Sequence, residues 1–135
     1  MNAQYTRKAD GTTTDHGLNL QWSKTLCDSC ITHHDAAKRI DALNEGLAAD
    51  EPRWRFPTIQ ELLTLVRYER TEPATDVEAF PDTKSDWYWS GTLYANNSDY
   101  AWLVSFFNGN SYDFHRYYYD AFVRAVRELP ASQSL

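Results

Sequence analysis

The stretch "CDSCITHH", residues 27 to 34, holds both cysteines of the chain and two of its four histidines. Cysteine and histidine are the usual zinc ligands, so Cys27, Cys30, His33 and His34 have the residue types of a metal site. Their spacing is incomplete. Adjacent histidines rarely both reach one ion, and a C-x-x-C pair normally works with a distant second half. A solvent-facing loop leading into a helix, or a local disulfide, explains the stretch as well, and no metal is assigned. A thioredoxin-like role lacks the surrounding strand–helix–strand unit.

Catalytic machinery is not visible elsewhere. His16, His33, His34 and His115 are the only histidines. None stands in an arrangement with a serine, cysteine or carboxylate that suggests nucleophilic catalysis. There is no phosphate-binding loop and no G-x-S-x-G. The carboxylates are scattered through turns and helix caps. The sequence therefore predicts a protein that is not an enzyme and needs no cofactor.

Recognition chemistry is better represented. Aromatic residues make up 15% of the chain, with nine Tyr and five Trp. Tyr and Trp offer large contact area at little cost in side-chain entropy, and with Ser, Asn and Gly they dominate antibody-like surfaces. "NNSDY" (96–100) and "NGNSYDFHRYYYD" (108–120) have that composition. The candidate ligand-binding residues are Tyr94, Asn96, Asn97, Asp99, Tyr100, Asn108, Asn110, Tyr112, Phe114, His115, Arg116, Tyr117, Tyr118, Tyr119 and Asp120. Strand alternation places Tyr112, Phe114 and Tyr118 on a different side from Tyr117 and Tyr119. Packing alone would favour aliphatic and β-branched residues in such a run.

The elements that must position these residues are legible in outline. "ADG" signals a turn in an N-terminal hairpin, with strand character at Thr12–Thr14 and again at Leu18, Leu20 and Trp22. Thr32 caps a helix, with Asp35 three positions on, and Ala36, Ala37, Ile40, Leu43 and Leu47 fall on one face. Thr58 and Glu61 form a second capping box before the stripe Ile59, Leu62, Leu63 and Val66, and Pro57 separates it from the preceding strand. From Trp87 the chain turns to strands: "WYWSGTLY", "AWLVSFF", a turn at "NGN" suited to Gly109, the tyrosine run, then "AFVRAVR". Two helices, an N-terminal hairpin and a block of antiparallel strands make an α+β class. Pairing of the first strand with the last brings the two ends together. The chain reads as a single domain, 1–135, with a flexible tail at 129–135.

Bulk properties narrow the partners. A net charge of −6 argues against nonspecific nucleic-acid or anionic-membrane binding, and no apolar run reaches membrane-spanning length. The start, "MNAQYTRKADG", has no apolar signal region. The compartment is unknown: cytoplasmic as synthesised, or part of an exported assembly.

"DGTTTDHGLNLQWSK", "WRFPTIQEL", "FPDT", "WYWSGT", "AWLVSFFNG" and "FVRAVR" occur in this order between residues 9 and 127. Together they resemble the Lcl C-terminal domain family, the end domain of bacterial collagen-like adhesins. The resemblance implies a C-type-lectin-like fold, in which the segments before the last strand converge on one exposed ligand-binding face. Trp54, Phe56, Trp87, Trp89 and Trp102 read as core anchors. Arg124 and Arg127 read as partners of acids near the N-terminal hairpin, or as solvent-facing strand residues. Lectins of this fold that bind sugar through calcium use an acid or amide beside a cis proline and a Trp-Asn-Asp stretch. Glu72 and Pro73 lack a paired amide, and "NNSDYAW" does not reproduce the second half. The copper chemistry of the formylglycine-generating enzymes needs late cysteines, and none follows Cys30.

Some members of this family resemble variable proteins of diversity-generating retroelements, in which AAC codons mutate to others ending in C. Ser111–Phe122 and Tyr94–Ala101 contain only residues such codons encode. The expected function is a ligand-binding module with an aromatic, retroelement-diversified face, monomeric or a small homo-oligomer, directed at a protein or surface glycan. The alternative is an assembly domain of an adhesin or phage-tail-like particle that uses the aromatic face as its subunit interface.

Overall fold

The computed structural model describes residues 4–129. The first hairpin closes where Asp10 and Gly11 predict. Gly11 takes a φ of +91°, and the Asp10 carboxylate accepts from both the N–H and the hydroxyl of Thr12. This turn joins β1 (Tyr5–Arg7) to β2 (Thr13–Asp15). Asp15 then accepts from the N–H groups of Gly17 and Leu18, turning the chain into β3 (Leu20–Thr25).

Helix α1 (His33–Asn44) starts at Thr32, whose hydroxyl accepts from the Asp35 N–H at 3.2 Å. Ala36 and Ile40 are buried on its inner face, with Leu43 partly so. Helix α2 (Ile59–Leu63) carries the reciprocal Thr58–Glu61 capping box. It is shorter than the apolar stripe suggests. Leu65 and Val66 bond back three residues to Leu62 and Leu63, and the Thr64 hydroxyl takes the Glu61 carbonyl, so the helix ends in tight turns. Leu65 and Val66 are buried all the same. The stripe marks the buried side beyond the point where the helix stops.

β4 (Trp87–Tyr94), β5 (Asn97–Ser105) and β6 (Ser111–His115) form an antiparallel sheet in that order. "NNSDY" is mostly strand, not loop. The tyrosine run leaves the sheet early: the carbonyl of His115 accepts from the N–H groups of Tyr118 and Tyr119, closing a turn after β6. Strand alternation therefore stops before Tyr117.

The last strand, β7 (Arg124–Glu128), pairs with β3 in a sheet of order β1-β2-β3-β7. The first strand does not pair with it; β1 lies at the opposite edge of the same sheet. Bridges Ile31–Ala121, Tyr88–Phe122 and Arg55–Val126 join this terminal segment to the loop before α1, to β4 and to the segment before α2. Ala121–Arg127 is consequently buried throughout, Arg124 and Arg127 included. Trp22, Tyr88, Trp89, Phe80 and Phe106 are the largest fully buried rings. Trp54 is buried too, but Phe56, Trp87 and Trp102 are only half-buried, so they do not all belong to the core. Leu129, which the sequence groups with a tail, is buried, and residues 130–135 lie outside the described residues. Two helices and two antiparallel sheets among the described residues make the α+β class.

Candidate ligand-binding face

The motif residues are occupied with holding the scaffold. The Arg124 guanidinium donates to Ser23 O at 2.8 Å, to Asp82 at 3.1 Å and to the Thr83 hydroxyl at 3.0 Å, and lies over the Phe80 ring. Arg127 donates to Gln21 and Glu51 and stacks on Trp54, 4.6 Å from the ring centroid. Both arginines thus reach acids of the long connections and neither faces solvent; Asp82 stands beside β3, where it accepts from the Thr25 N–H. In "WYWSGT" the Ser90 carbonyl faces His33 and the Thr92 hydroxyl takes the Ile59 N–H at the start of α2. A Cβ on Gly91 would stand 2.8 Å from Phe56 Cβ, so glycine is what lets the "WRFPT" segment approach there.

His33 sits inside this framework. Its ring stacks on Phe56 at 4.2 Å and meets the Trp89 edge. Nε2 is 3.1 Å from the Ser90 carbonyl, which can only accept, so Nε2 carries the proton and Nδ1 accepts from Arg116 Nε at 3.4 Å. Burial, outweighing the Ser90 bond, pushes the imidazole down to about 4. His34, the next residue, is exposed. Cys27 is buried and free; Cys30 is free and half-buried, its Sγ 3.9 Å from Asp86. Burial first, then Asp86, Cys27 and Asp120, push the Cys30 thiol up to about 11. The four candidate zinc ligands are not brought together, and no group of three or more His, Cys, Asp or Glu able to hold a metal occurs among the described residues.

The recognition candidates divide into two clusters and two outlying pairs. Tyr100 pairs with His115, and Ala101 with Phe114, across β5 and β6. Neighbours along a strand point to opposite faces, so His115 and Phe114 look in opposite directions. On one face His115 touches Tyr100 (5.2 Å), Tyr117 (5.8 Å) and Tyr118 (4.3 Å), with Tyr94 on Trp102 nearby on the same face. On the other, Phe114 stacks on Tyr119 at 4.5 Å and meets Tyr112 and Trp87. Tyr117, Tyr118 and Tyr119 are all exposed, at 50%, 81% and 51%. They do not split by strand parity because they stand on a turn.

Arg116 pins that turn. Beyond His33 it donates to Ser98 O at 3.1 Å, its N–H bonds to Asp99 O, and its guanidinium lies over Tyr117. Asn96 and Asn97 sit at the β4–β5 tip, Asn97 accepting from the Asp99 N–H. Asn108 and Asn110 lie at the other end of β5, where the Asn108 side chain accepts from the Asn110 N–H. The nine residues of β5 rise ~3.3 Å per step, so its two ends, and with them the two pairs, stand roughly 26 Å apart. They do not meet on one face. Trp87, unassigned to recognition from the sequence, joins the Phe114 cluster, and the preceding Asp86 accepts the Trp87 N–H. Exposed Tyr68 and Phe107 flank Gly109 at the far end. For Tyr68 the charged neighbours in "VRYER" carried a signal of exposure.

Among the described residues no helix is long and apolar enough to cross a membrane. The sequence model of the Lcl C-terminal domain matches residues 11–127. Neither a curated protein nor a solved structure matches the chain.

Proposed function

The chain belongs to the Lcl C-terminal domain family, and on that premise we propose that it is a non-enzymatic ligand-binding module working through the aromatic rim of β6 and the turn after it. One observation carries this reading: Tyr112, Tyr117, Tyr118 and Tyr119 expose half or more of their surface while Trp54, Tyr88, Trp89, Arg124 and Arg127 of the motifs are buried. Exposed aromatic clusters of this kind mark partner sites. Two further features support a role without catalysis. His33 is a neutral core residue with both nitrogens bonded, and the Cys30 thiol is shifted away from the thiolate a nucleophile needs. The ligand is a protein or a surface glycan.

The C-type-lectin-like fold and retroelement diversification belong to the same proposal. Of the windows Ser111–Phe122 and Tyr94–Ala101, whose residues AAC-derived codons can all encode, Ala101, Ala121 and Phe122 are buried, while Ser111–Asp120 covers β6 and the turn after it with side chains that are all exposed or half-buried. Sequencing the coding DNA across residues 94–122 and downstream tests diversification. Codons ending in C, with an AAC-rich copy beside a reverse transcriptase gene, support it; mixed codons and no copy leave a fixed face. Binding itself is tested by screening the protein and a Tyr117→Ala, Tyr119→Ala variant on glycan and peptide arrays. Ligands retained equally by the variant sink the reading. The open outer edge of β6 favours a second reading, an assembly domain of an adhesin or phage-tail-like particle, which light scattering separates.

A further inference from the structure

We infer that the face built by Trp87, Tyr112, Phe114 and Tyr119 receives cationic side chains, so that the ligand is a protein segment presenting arginine or lysine. The inference rests on the binding-module reading and names its chemistry. Phe114 and Tyr119 stack with ring planes 14° apart, and the Trp87 ring meets Phe114 at 75°. Tyr112 and Tyr119 leave much of their ring surface open to solvent. Aromatic faces carry negative electrostatic potential and attract guanidinium or ammonium groups.

Two carboxylates neighbour the ring residues along the chain. Asp86 immediately precedes Trp87, its Oδ1 accepting the Trp87 N–H at 2.7 Å, and Asp120 immediately follows Tyr119. Both are exposed, and no ion pair among the described residues engages either. The Cys30 thiol registers them: both carboxylates add to burial in raising it.

The opposite cluster differs on this point. There Arg116 lies over Tyr117, filling that ring's cation position from within the chain. The other cation–π contacts among the described residues fall on Tyr5, Phe80, Tyr88 and Trp54, leaving Trp87, Tyr112, Phe114 and Tyr119 without one. Open rings beside two exposed carboxylates that enter no ion pair among the described residues favour a cation.

The test titrates the full isotope-labelled chain with a capped nine-residue peptide carrying three arginines between glycine and serine. The control peptide replaces each arginine by citrulline, which keeps the shape and removes the charge. Backbone and ring resonances of Trp87, Tyr112, Phe114, Tyr119 and Asp120 should shift with the arginine peptide. Affinity should fall about ten-fold for citrulline, and about as far in Tyr119→Ala or Asp120→Asn. Equal binding of the citrulline peptide overturns the inference. So do shifts that scatter over acids elsewhere, such as Asp41 or Glu78, or that persist in Tyr119→Ala. A neutral glycan or peptide mapping to the same rings overturns the cationic chemistry and leaves the binding face standing. Array ligands indifferent to the tyrosines remove both.

Discussion

Arg116 Nε donates to His33 Nδ1 across 3.4 Å, tying the exposed tyrosine turn to the first residue of α1 inside the core. The bond exists only while the imidazole is neutral. Proton uptake would place a donor against a donor and a cation beside a guanidinium.

A pH dependence follows. The His33 imidazole is held at about 4 in the folded chain against an ordinary 6.5. Between those values the unfolded chain binds the extra proton, so stability falls as pH drops from 6.5 towards 4 and is fully present above 6.5. A shift of this size corresponds to about 3 kcal/mol at most. The carboxylates of Glu61 and Asp82 are held low, from ordinary values of 4.5 and 3.8, so the loss from Glu61 begins at the lower end of that window and the loss from Asp82 below it. Urea midpoints from pH 7 to 4.5 should decline in the native chain and flatten in His33→Gln. Tyr117–Tyr119 resonances should move over the same range. An unchanged slope in the variant removes His33 as the cause.

Arg124 offers a test of the scaffold. Burial alone would raise the Asp82 carboxyl, but the Arg124 guanidinium and the Thr25 N–H outweigh it and hold it down. Arg124 is 2% exposed, so removing it strands a carboxylate and several carbonyl and hydroxyl acceptors. Arg124→Met should cost about 3–5 kcal/mol. The cost should shrink when Asp82→Asn is already present, because less charge is left unpaired. Additive losses in denaturant melts would show that the pair is not coupled.

Three glycines separate backbone strain from crowding. Gly46 has φ +82° with nothing within 4 Å of an added Cβ. Gly91 has no such φ, but its Cβ would meet Phe56 at 2.8 Å; Gly109 combines φ +89° with contacts of 2.8 Å to Val66 and 2.9 Å to Tyr68. Alanine at Gly46 should cost about 1 kcal/mol from conformation alone. At Gly91 the cost is about 1–3 kcal/mol from overpacking, and Gly109→Ala should exceed Gly46→Ala by a similar margin. Thermal melts of the three variants decide it; equal losses at Gly46 and Gly109 would mean that Val66 and Tyr68 simply move aside.

What could be read from the chain follows the range of the interactions. Thr32, Thr58 with Glu61, and Gly109 act on backbone groups a few residues away, so their types announce the caps and the turn. Arg124 and Arg127 do not, because period two gives parity but not which side another element will cover. Arg124 is paired with Asp82, forty-two positions distant, across a turn-rich connection. The tyrosine run carries no Gly or Pro between Ser111 and Asp120, hence no local sign that the strand ends at His115. Arg116 holds that turn through Ser98 and His33, eighteen and eighty-three positions away. For the same reason, Asn96 and Asn108 belong to segments of like composition expected to converge, while β5 holds them at opposite ends.

The exposed tyrosines should be separable from the ring cluster by stability. Tyr118 packs one side on His115 and gives the rest to solvent, so Tyr118→Ala should move stability by no more than about 0.5 kcal/mol. Phe114 is half-buried between Trp87, Tyr112 and Tyr119, and Phe114→Ala should cost about 1–3 kcal/mol, below the range for a fully buried ring. The double variant Tyr117→Ala, Tyr119→Ala then distinguishes display from assembly. A binding module stays monomeric before and after the change, with its melting temperature nearly unmoved. An assembly domain is oligomeric beforehand and dissociates, and because partner contacts add to folding stability by mass action, its melting temperature falls in a concentration-dependent way. Light scattering beside melts at two concentrations gives the answer, and a dissociating oligomer would replace the ligand-binding reading with the subunit interface.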